Sequence, residues 1–121
     1  LDGGGGADTL DGGAGDDLLT GGLGADVFIF RAPEDSAAGQ GDTITDFQIG
    51  DRLDFALIDA DGNGANGDTA FTLSASRTVG ASAELVFIAG QLWAYVDGDE
   101  LADMQIALTG RLTFGGGDFI P

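Results

Sequence analysis

The chain has 121 residues, enough for one domain with a modest hydrophobic core. It carries 21 acidic and four basic residues, a formal net charge of -17, and contains neither cysteine nor histidine. This charge repels nucleic acid and anionic membranes, and its self-repulsion opposes compaction unless cations bind. Without histidine, a Ser-His-Asp triad and a histidine-based zinc site are excluded, and without cysteine so is a disulfide. No apolar run is long enough to cross a membrane.

Three consecutive nine-residue units open the chain, at residues 3–11, 12–20 and 21–29. Each fits the pattern Gly-Gly-x-Gly-x-Asp-x-(large apolar)-x, with no insertion between copies. Repeats of this kind predict a parallel β-roll that binds calcium in its turns. Leu1 falls in the eighth place of a preceding unit. We therefore expect a longer repeat array upstream.

Each place in the repeat has a physical role. Glycines at the first, second and fourth places allow a positive φ and let the backbone turn its carbonyls inward. The sixth place holds a carboxylate in every copy: Asp8, Asp17 and Asp26. Carbonyl and carboxylate oxygens are hard ligands that suit Ca²⁺. The eighth place holds a large apolar residue on a two-residue strand, and its side chain is predicted to point into a thin core. These residues are Leu10, Leu19 and Phe28.

The composition changes near residue 30, after which longer strand-like segments replace the repeats. We predict one continuous domain, with the β-roll at 1–31 and a sandwich-like cap at 32–121. A tight hairpin is expected at Gly90. No segment shows the pattern of an amphipathic helix of three turns. The predicted fold class is therefore all-β, a short parallel β-roll capped by antiparallel strands. The predicted strands after the roll are 43–47, 52–57, 69–74, 84–89, 91–96 and 103–109.

The whole chain resembles the C-terminal RTX (repeats-in-toxin) domain of serralysin-type secreted metalloproteases. The R-modules of mannuronan epimerases are a similar match. Besides the repeats, the resemblance rests on GLGADVFIF at 22–30 and on two acids that lie seven residues apart, Asp35 and Asp42. It continues through GDTITDFQIGDRLDF at 41–55 to the closing DFIP at 118–121.

The resemblance implies that calcium lies between turns two repeats apart, because successive turns fall on alternate edges of the roll. A first site would lie between turns 3–8 and 21–26, and a second would join turn 12–17 to the following loop. The implied ligands of the first site are the carbonyls of Gly4, Gly6, Gly21 and Leu23 and the carboxylates of Asp8 and Asp26. Those of the second are Gly13, Gly15, Asp17, Asp35 and Asp42. Two or more Ca²⁺ ions are expected in all.

Alternative interpretations exist for these acids. Asp8, Asp17 and Asp26 could cap turns, and Asp35 and Asp42 could be ordinary loop acids. Residues 59–64 (DADGNG) begin like an EF-hand loop, but the place of its last glutamate is Ala70. We predict a turn there, and another around 97–103, where several acids are spaced.

By resemblance the chain is a non-catalytic, calcium-binding module of an extracellular enzyme. It would fold on binding Ca²⁺ outside the cell and support type I secretion and the stability of a parent enzyme. The expected partners are an upstream catalytic domain and the exporter, which reads an ending that Asp118-Phe119-Ile120 resembles. A second hypothesis is a module of a secreted epimerase or lyase that binds an alginate-like polysaccharide. Clustering of the four basic side chains would favour it: Arg31, Arg52, Arg77 and Arg111.

Overall fold

The computed structural model describes residues 1–58, 71–74, 83–96, 101–109, 114–115 and 117–120. Within these ranges the chain forms ten strands and one turn of 3-10 helix at Pro33–Ser36. The strands are β1 (Thr9–Leu10), β2 (Leu18–Leu19), β3 (Val27–Ile29), β4 (Thr43–Ile44), β5 (Arg52–Asp54), β6 (Thr72–Ser74), β7 (Glu84–Ile88), β8 (Gln91–Tyr95), β9 (Met104–Leu108) and β10 (Phe119–Ile120).

The strands form two sheets. One contains β1, β3, β5 and β10 in that order, and every neighbouring pair is parallel. The other has the order β2-β4-β9-β8-β7-β6, in which β7, β8 and β9 are antiparallel neighbours and the remaining pairs are parallel. The fold is therefore all-β, a parallel roll extended by antiparallel strands, as the sequence predicts.

The register shows how the repeats build the roll. Leu10 of β1 pairs with Phe28 of β3, two repeats later, whereas Leu19 of β2 lies in the opposite sheet. One coil of the roll therefore takes two repeats, because the chain reverses at each glycine-rich turn. The predicted burial of the eighth-place side chains is confirmed, since all three are at most 3% exposed.

Parallel stacking continues past residue 31. β4 pairs with β2, and β5 pairs with β3, although their segments lack the nine-residue pattern. Phe28 of β3 lies opposite Leu53 of β5, and both are fully buried. The repeated sequence thus ends at residue 29, but the stack of parallel strands continues beyond residue 31. The division into a roll and a separate cap at that residue remains a prediction.

Aromatic side chains fill the core between the sheets. Phe28 packs against Phe47 with ring centroids 6.1 Å apart, and Phe30 packs against Phe55 at 5.6 Å. Phe55 in turn contacts Phe119 of the C-terminal strand. Such tilted pairs add to the stabilisation that apolar burial supplies. The core therefore runs continuously from the repeats to the far end of the chain.

The hairpin predicted at Gly90 is present. β7 and β8 are joined by Ala89 and Gly90, whose φ angles are 53° and 80°. Two successive positive φ angles match the turn whose twist suits a two-residue β-hairpin. The strand pairs on either side are in register from Ile88–Gln91 to Glu84–Tyr95.

The C-terminal segment forms an edge strand. β10 runs parallel to β5, with Leu53 N donating to Asp118 O and Phe55 N donating to Ile120 O. The segment that resembles an export signal is thus also part of a sheet, and its role in export stays a prediction. Among the residues described, no helix has the length and apolar character to span a bilayer.

Candidate metal sites

Two turns stack directly on one edge of the roll, which we call edge A. Gly5 of turn 3–8 forms a parallel bridge with Leu23 of turn 21–26. Leu23 N donates to Gly4 O over 2.9 Å, and Gly6 N donates to Leu23 O over 2.6 Å. The two turns predicted to share one ion are therefore in direct backbone contact.

The approach of these turns leaves no room for side chains at two glycines. A Cβ on Gly22 would collide with the carbonyl of Gly4, and one on Gly24 with the carbonyl of Gly6. Both glycines also have a positive φ, 94° at Gly22 and 134° at Gly24. The carbonyls of turn 3–8 therefore face turn 21–26, as predicted ligands of an ion between the turns would.

Substitution of Gly22 by alanine is expected to destabilise the protein by at least about 1–2 kcal/mol, because a non-glycine residue is strained at this φ and its Cβ would clash with backbone. The matched control is Gly5→Ala in the facing turn, where a Cβ would meet no described atom within 4 Å. Thermal unfolding in excess calcium measures both. Equal melting temperatures for the two variants would contradict the tight stacking.

Asp8 and Asp26 occupy equivalent places at the base of edge A and are joined by a hydrogen bond. Asp26 is fully buried, and its Oδ1 accepts a hydrogen bond of 2.8 Å from Asp8 N. Asp8 Oδ2 and Gly21 O lie 2.9 and 2.8 Å from the point that a Cβ of Gly3 would occupy. One oxygen of each turn therefore lies beside Gly3, and both oxygens belong to predicted ligands of the first site.

The opposite edge of the roll, edge B, carries the second predicted site. β2 and β4 are in register, so Asp17 and Asp42 occupy equivalent places just before the two strands. Asp42 Oδ1 accepts a hydrogen bond of 2.9 Å from Asp17 N. The predicted ligands in the turn, Gly13 and Gly15, have φ angles of 78° and 117°. This turn therefore has the positive-φ glycines that its counterparts on edge A have.

Asp35 lies close to this pair but faces a different partner. Its Oδ2 accepts a hydrogen bond of 2.7 Å from Arg31 N, so the carboxylate stabilises the turn that contains it. Burial raises the pKa of Asp42 to about 7, and the negative charges of Asp17, Asp16 and Asp35 act in the same direction. Edge B therefore concentrates negative charge around a buried carboxyl group, with Asp35 near it.

Ser36 supports edge B, and sequence reasoning did not identify it. The fully buried hydroxyl accepts a hydrogen bond from Asp42 N and donates one to Gln105 O, each over 2.7 Å. It thereby ties the loop before β4 to β9. No local signal distinguishes this serine, because its partner lies 69 residues further along the chain.

The donor set fits a hard cation. Three carboxylate oxygens are buried and accept no hydrogen bond from any described residue: Oδ2 of Asp8, of Asp17 and of Asp26. A buried charged oxygen without a partner is costly, and a cation would compensate it. The described residues contain no group of three or more acidic side chains spaced as ligands of one ion. The sites would therefore depend on carboxylate pairs and backbone carbonyls together.

The weaker candidates fall mostly outside the described ranges. Residues 59–70 lie outside the described ranges, so the EF-hand-like segment is not tested. Residues 97–100 lie outside them as well, but Asp103 is described, and its Oδ2 accepts a hydrogen bond of 2.7 Å from Val96 N. Asp103 thus closes the connection between β8 and β9, in agreement with the predicted turn.

Only two of the four arginines lie in the described ranges. Arg31 forms an ion pair of 2.7 Å with Asp11, and Arg52 is exposed on β5. Arg77 and Arg111 lie outside those ranges. The arginine cluster that would favour polysaccharide binding is therefore untested, and that hypothesis stays a prediction.

A parallel roll built from glycine-rich nonapeptides, with carboxylates stacked along both edges, defines a domain of the RTX type. The sequence model of one family, the peptidase M10 serralysin C-terminal family, matches residues 4–120. The chain belongs to this family, as the resemblance in its motifs indicates. No curated protein gives a significant match to the chain. The family is that of the C-terminal, non-catalytic domains of serralysin-type proteases, and its domains are of the calcium-binding RTX type.

Proposed function

We propose that this chain is a calcium-triggered folding module that supports secretion and stability of an extracellular protease. The observation that carries the proposal is the set of three buried carboxylate oxygens without a hydrogen-bond partner among the described residues, in Asp8, Asp17 and Asp26. Each lies in a turn that also presents backbone carbonyls. The whole set is oxygen-only, which is the ligand chemistry that Ca²⁺ prefers.

Two ions are proposed. Around the first are Gly4, Gly6, Gly21 and Leu23, through their carbonyls, and Asp8 and Asp26, through their carboxylates. Around the second are Gly13 and Gly15 in the turn and the carboxylate pair of Asp17 and Asp42. Asp35, which the resemblance also implies as a ligand, lies near this pair with its Oδ2 on Arg31 N. Carbonyls of Gly4 and Leu23 accept hydrogen bonds between the turns, and each has a second lone pair for a metal.

The mechanism follows from charge. Without a cation, Asp8 and Asp26 repel each other, as do Asp17 and Asp42, in a chain whose net charge is already -17. Calcium, when bound, supplies the positive charge that this arrangement lacks. Extracellular modules bind it with dissociation constants of about 10⁻⁴–10⁻³ M. At about 100 times its dissociation constant, a ligand adds about 2.7 kcal/mol per independent site. Two sites would thus supply much of the net stability of a small domain.

The same balance explains how one chain could be both exportable and stable. At the low calcium concentration of the cytosol, the unneutralised carboxylates keep the roll loose enough for a type I exporter. In the calcium-rich medium outside, turn 3–8 closes on turn 21–26, and turn 12–17 closes on the loop that follows the repeats, which completes the roll. The module itself carries no catalytic role in this proposal, and the reaction belongs to the parent enzyme.

Far-UV circular dichroism of the metal-free chain, titrated with calcium and in parallel with magnesium, tests the proposal. We expect a cooperative gain of β-sheet signal with calcium, and little with magnesium, which demands a smaller, near-octahedral site. A spectrum that is already folded without metal, and unchanged by calcium, would contradict the folding switch.

A further inference from the structure

Edge A has a third level, below turn 21–26, formed by residues 46–51 (DFQIGD). Asp26 N donates to Asp51 Oδ1 over 3.0 Å, just as Asp8 N donates to Asp26 Oδ1 one level above. The three aspartates are therefore stacked along one line. Residues 46–51 contain one glycine, Gly50, in place of the repeat's three, so this level lacks the sequence pattern of the other two.

Side chains at the third level replace backbone contacts made between the first two. Gly3 N donates to Thr20 O, whereas the equivalent Gly21 N donates to Asp46 Oδ1 over 2.9 Å. The other carboxylate oxygen of Asp46 accepts a bond of 2.8 Å from Gly22 N.

The same replacement occurs at the next carbonyl. Gly4 O accepts its hydrogen bond from the backbone N of Leu23. Its equivalent, Gly22 O, accepts from the side-chain Nε2 of Gln48. The side chains of Asp46 and Gln48 thus hydrogen-bond turn 21–26 at the positions where turn 3–8 makes hydrogen bonds to backbone groups of the level below it.

Asp51 also differs from the other stacked aspartates in having both oxygens occupied. Its Oδ1 accepts from Asp26 N and its Oδ2 from Gln48 N, the latter over 2.9 Å. Asp8 and Asp26 each keep one buried oxygen that no described residue contacts through a hydrogen bond. The third level therefore has its acceptors satisfied by the chain itself, and no orphaned oxygen there calls for a cation.

We propose that residues 46–51 form a level that takes no ion, and that Asp46 and Gln48 are positioning residues for the Asp8/Asp26 site. They hold Gly21 and Gly22, and with them Asp26, in the conformation that the site requires. This inference rests on the proposed function, since it treats the Asp8/Asp26 pair as a calcium site. Its consequence is an order of events: the third level holds turn 21–26 without metal, and calcium then joins turn 3–8 to it.

Amide hydrogen exchange of the wild-type chain, followed residue by residue by NMR without metal and with saturating calcium, tests this order. The amides of Gly21, Gly22 and Asp26 should be protected without metal, because their acceptors are side chains of the third level. Those of Gly6 and Asp8 should become protected only with calcium, because their acceptors lie across the proposed ion site.

The possible outcomes separate the two proposals. If Gly21, Gly22 and Asp26 exchange freely without metal, the third level depends on calcium and this inference is wrong, whereas calcium-triggered folding still stands. If Gly6 and Asp8 are also protected without metal, the order of events is wrong, and the calcium switch fails with it.

A variant isolates the contribution of the Gln48 amide. Gln48→Leu keeps the size of the side chain and removes the donor to Gly22 O. The calcium concentration that half-protects the Asp8 amide should rise by up to about tenfold, because losing one hydrogen bond lowers the metal-free population of the binding conformation of turn 21–26. The concentration that half-protects Asp17 N, on edge B, should stay the same.

The matched control is Gln40→Leu, the same chemical change at an exposed side chain in the loop before β4. It should leave the midpoint of the Asp8 amide unchanged. The positioning role is wrong if Gln48→Leu behaves like this control. It is also wrong if the midpoints on edges A and B rise together, since that would mark a general loss of stability.

Discussion

Asp26→Asn is expected to be less stable than the wild type in calcium and at least as stable without it. In calcium, the variant loses a charged ligand of the proposed first site, and at about 100 times the dissociation constant the loss is about 2.7 kcal/mol. Without metal, the wild type keeps a fully buried carboxylate whose Oδ2 meets no hydrogen-bond donor among the described residues. Asparagine removes that charge, and its Oδ1 can still accept from Asp8 N.

Thermal unfolding of both proteins, metal-free and with excess calcium, measures this reversal. Asp2→Asn serves as a control for the change in net charge, since Asp2 is exposed and precedes the first turn. A variant that is less stable under both conditions would show that Asp26 only caps the turn. A variant that is more stable than the wild type both with and without calcium would show that the Asp26 carboxylate does not contribute to calcium binding.

Local periodicity accounts for most of what the sequence predicts correctly. The nine-residue pattern places Leu10, Leu19 and Phe28 in the core because each repeat reverses the chain once. It also explains why turns two repeats apart stack, since alternate strands belong to the same sheet. Turn residues likewise identify the hairpin at Ala89 and Gly90. All of these features depend on residues that are close in the sequence.

Contacts between distant segments could not be predicted in this way. β4 pairs with β9, and β5 pairs with β10, although about 60 residues separate the partners in each case. No local pattern fixes such a register, because side-chain alternation is compatible with many partners. The support that Ser36 gives Asp42 arises only from the β4–β9 pairing, so it stayed hidden.

The third level of edge A shows a different limit. The step from Asp8 to Asp26 is 18 residues, but the step from Asp26 to Asp51 is 25. The second step is longer than two repeats, so a search for a fixed nine-residue period does not show that Asp51 is equivalent to Asp8 and Asp26. Nothing in the sequence around Asp46 and Asp51 indicates the contacts that they make with turn 21–26.

The metal-free protein is expected to lose stability as the pH rises from 5 to 8. Burial, aided by the charges of Asp17, Asp16 and Asp35, raises the pKa of Asp42 from 3.8 to about 7 in the folded state. The folded state therefore binds this proton more tightly than the unfolded state does. The resulting stabilisation is fully present below about pH 4 and is lost as the pH rises through about 7. Burial also raises the pKa of Asp51, which acts in the same direction.

Calcium binding at edge B should show the opposite dependence. Asp42 must be ionised to act as a ligand, so a proton competes with the metal below about pH 7. The calcium midpoint should then rise by up to about tenfold for each pH unit below 7, with release of about one proton per ion bound.

Thermal unfolding of metal-free protein and calorimetric titration in buffers of different ionisation enthalpy measure the two effects. Asp42→Asn should weaken the first dependence, leaving the part due to Asp51, and flatten the second, since it removes the titrating group at edge B but keeps an acceptor for Asp17 N. A melting temperature of the metal-free wild type that increases from pH 5 to 8 would contradict the buried, protonated Asp42, because general charge repulsion also acts against such an increase.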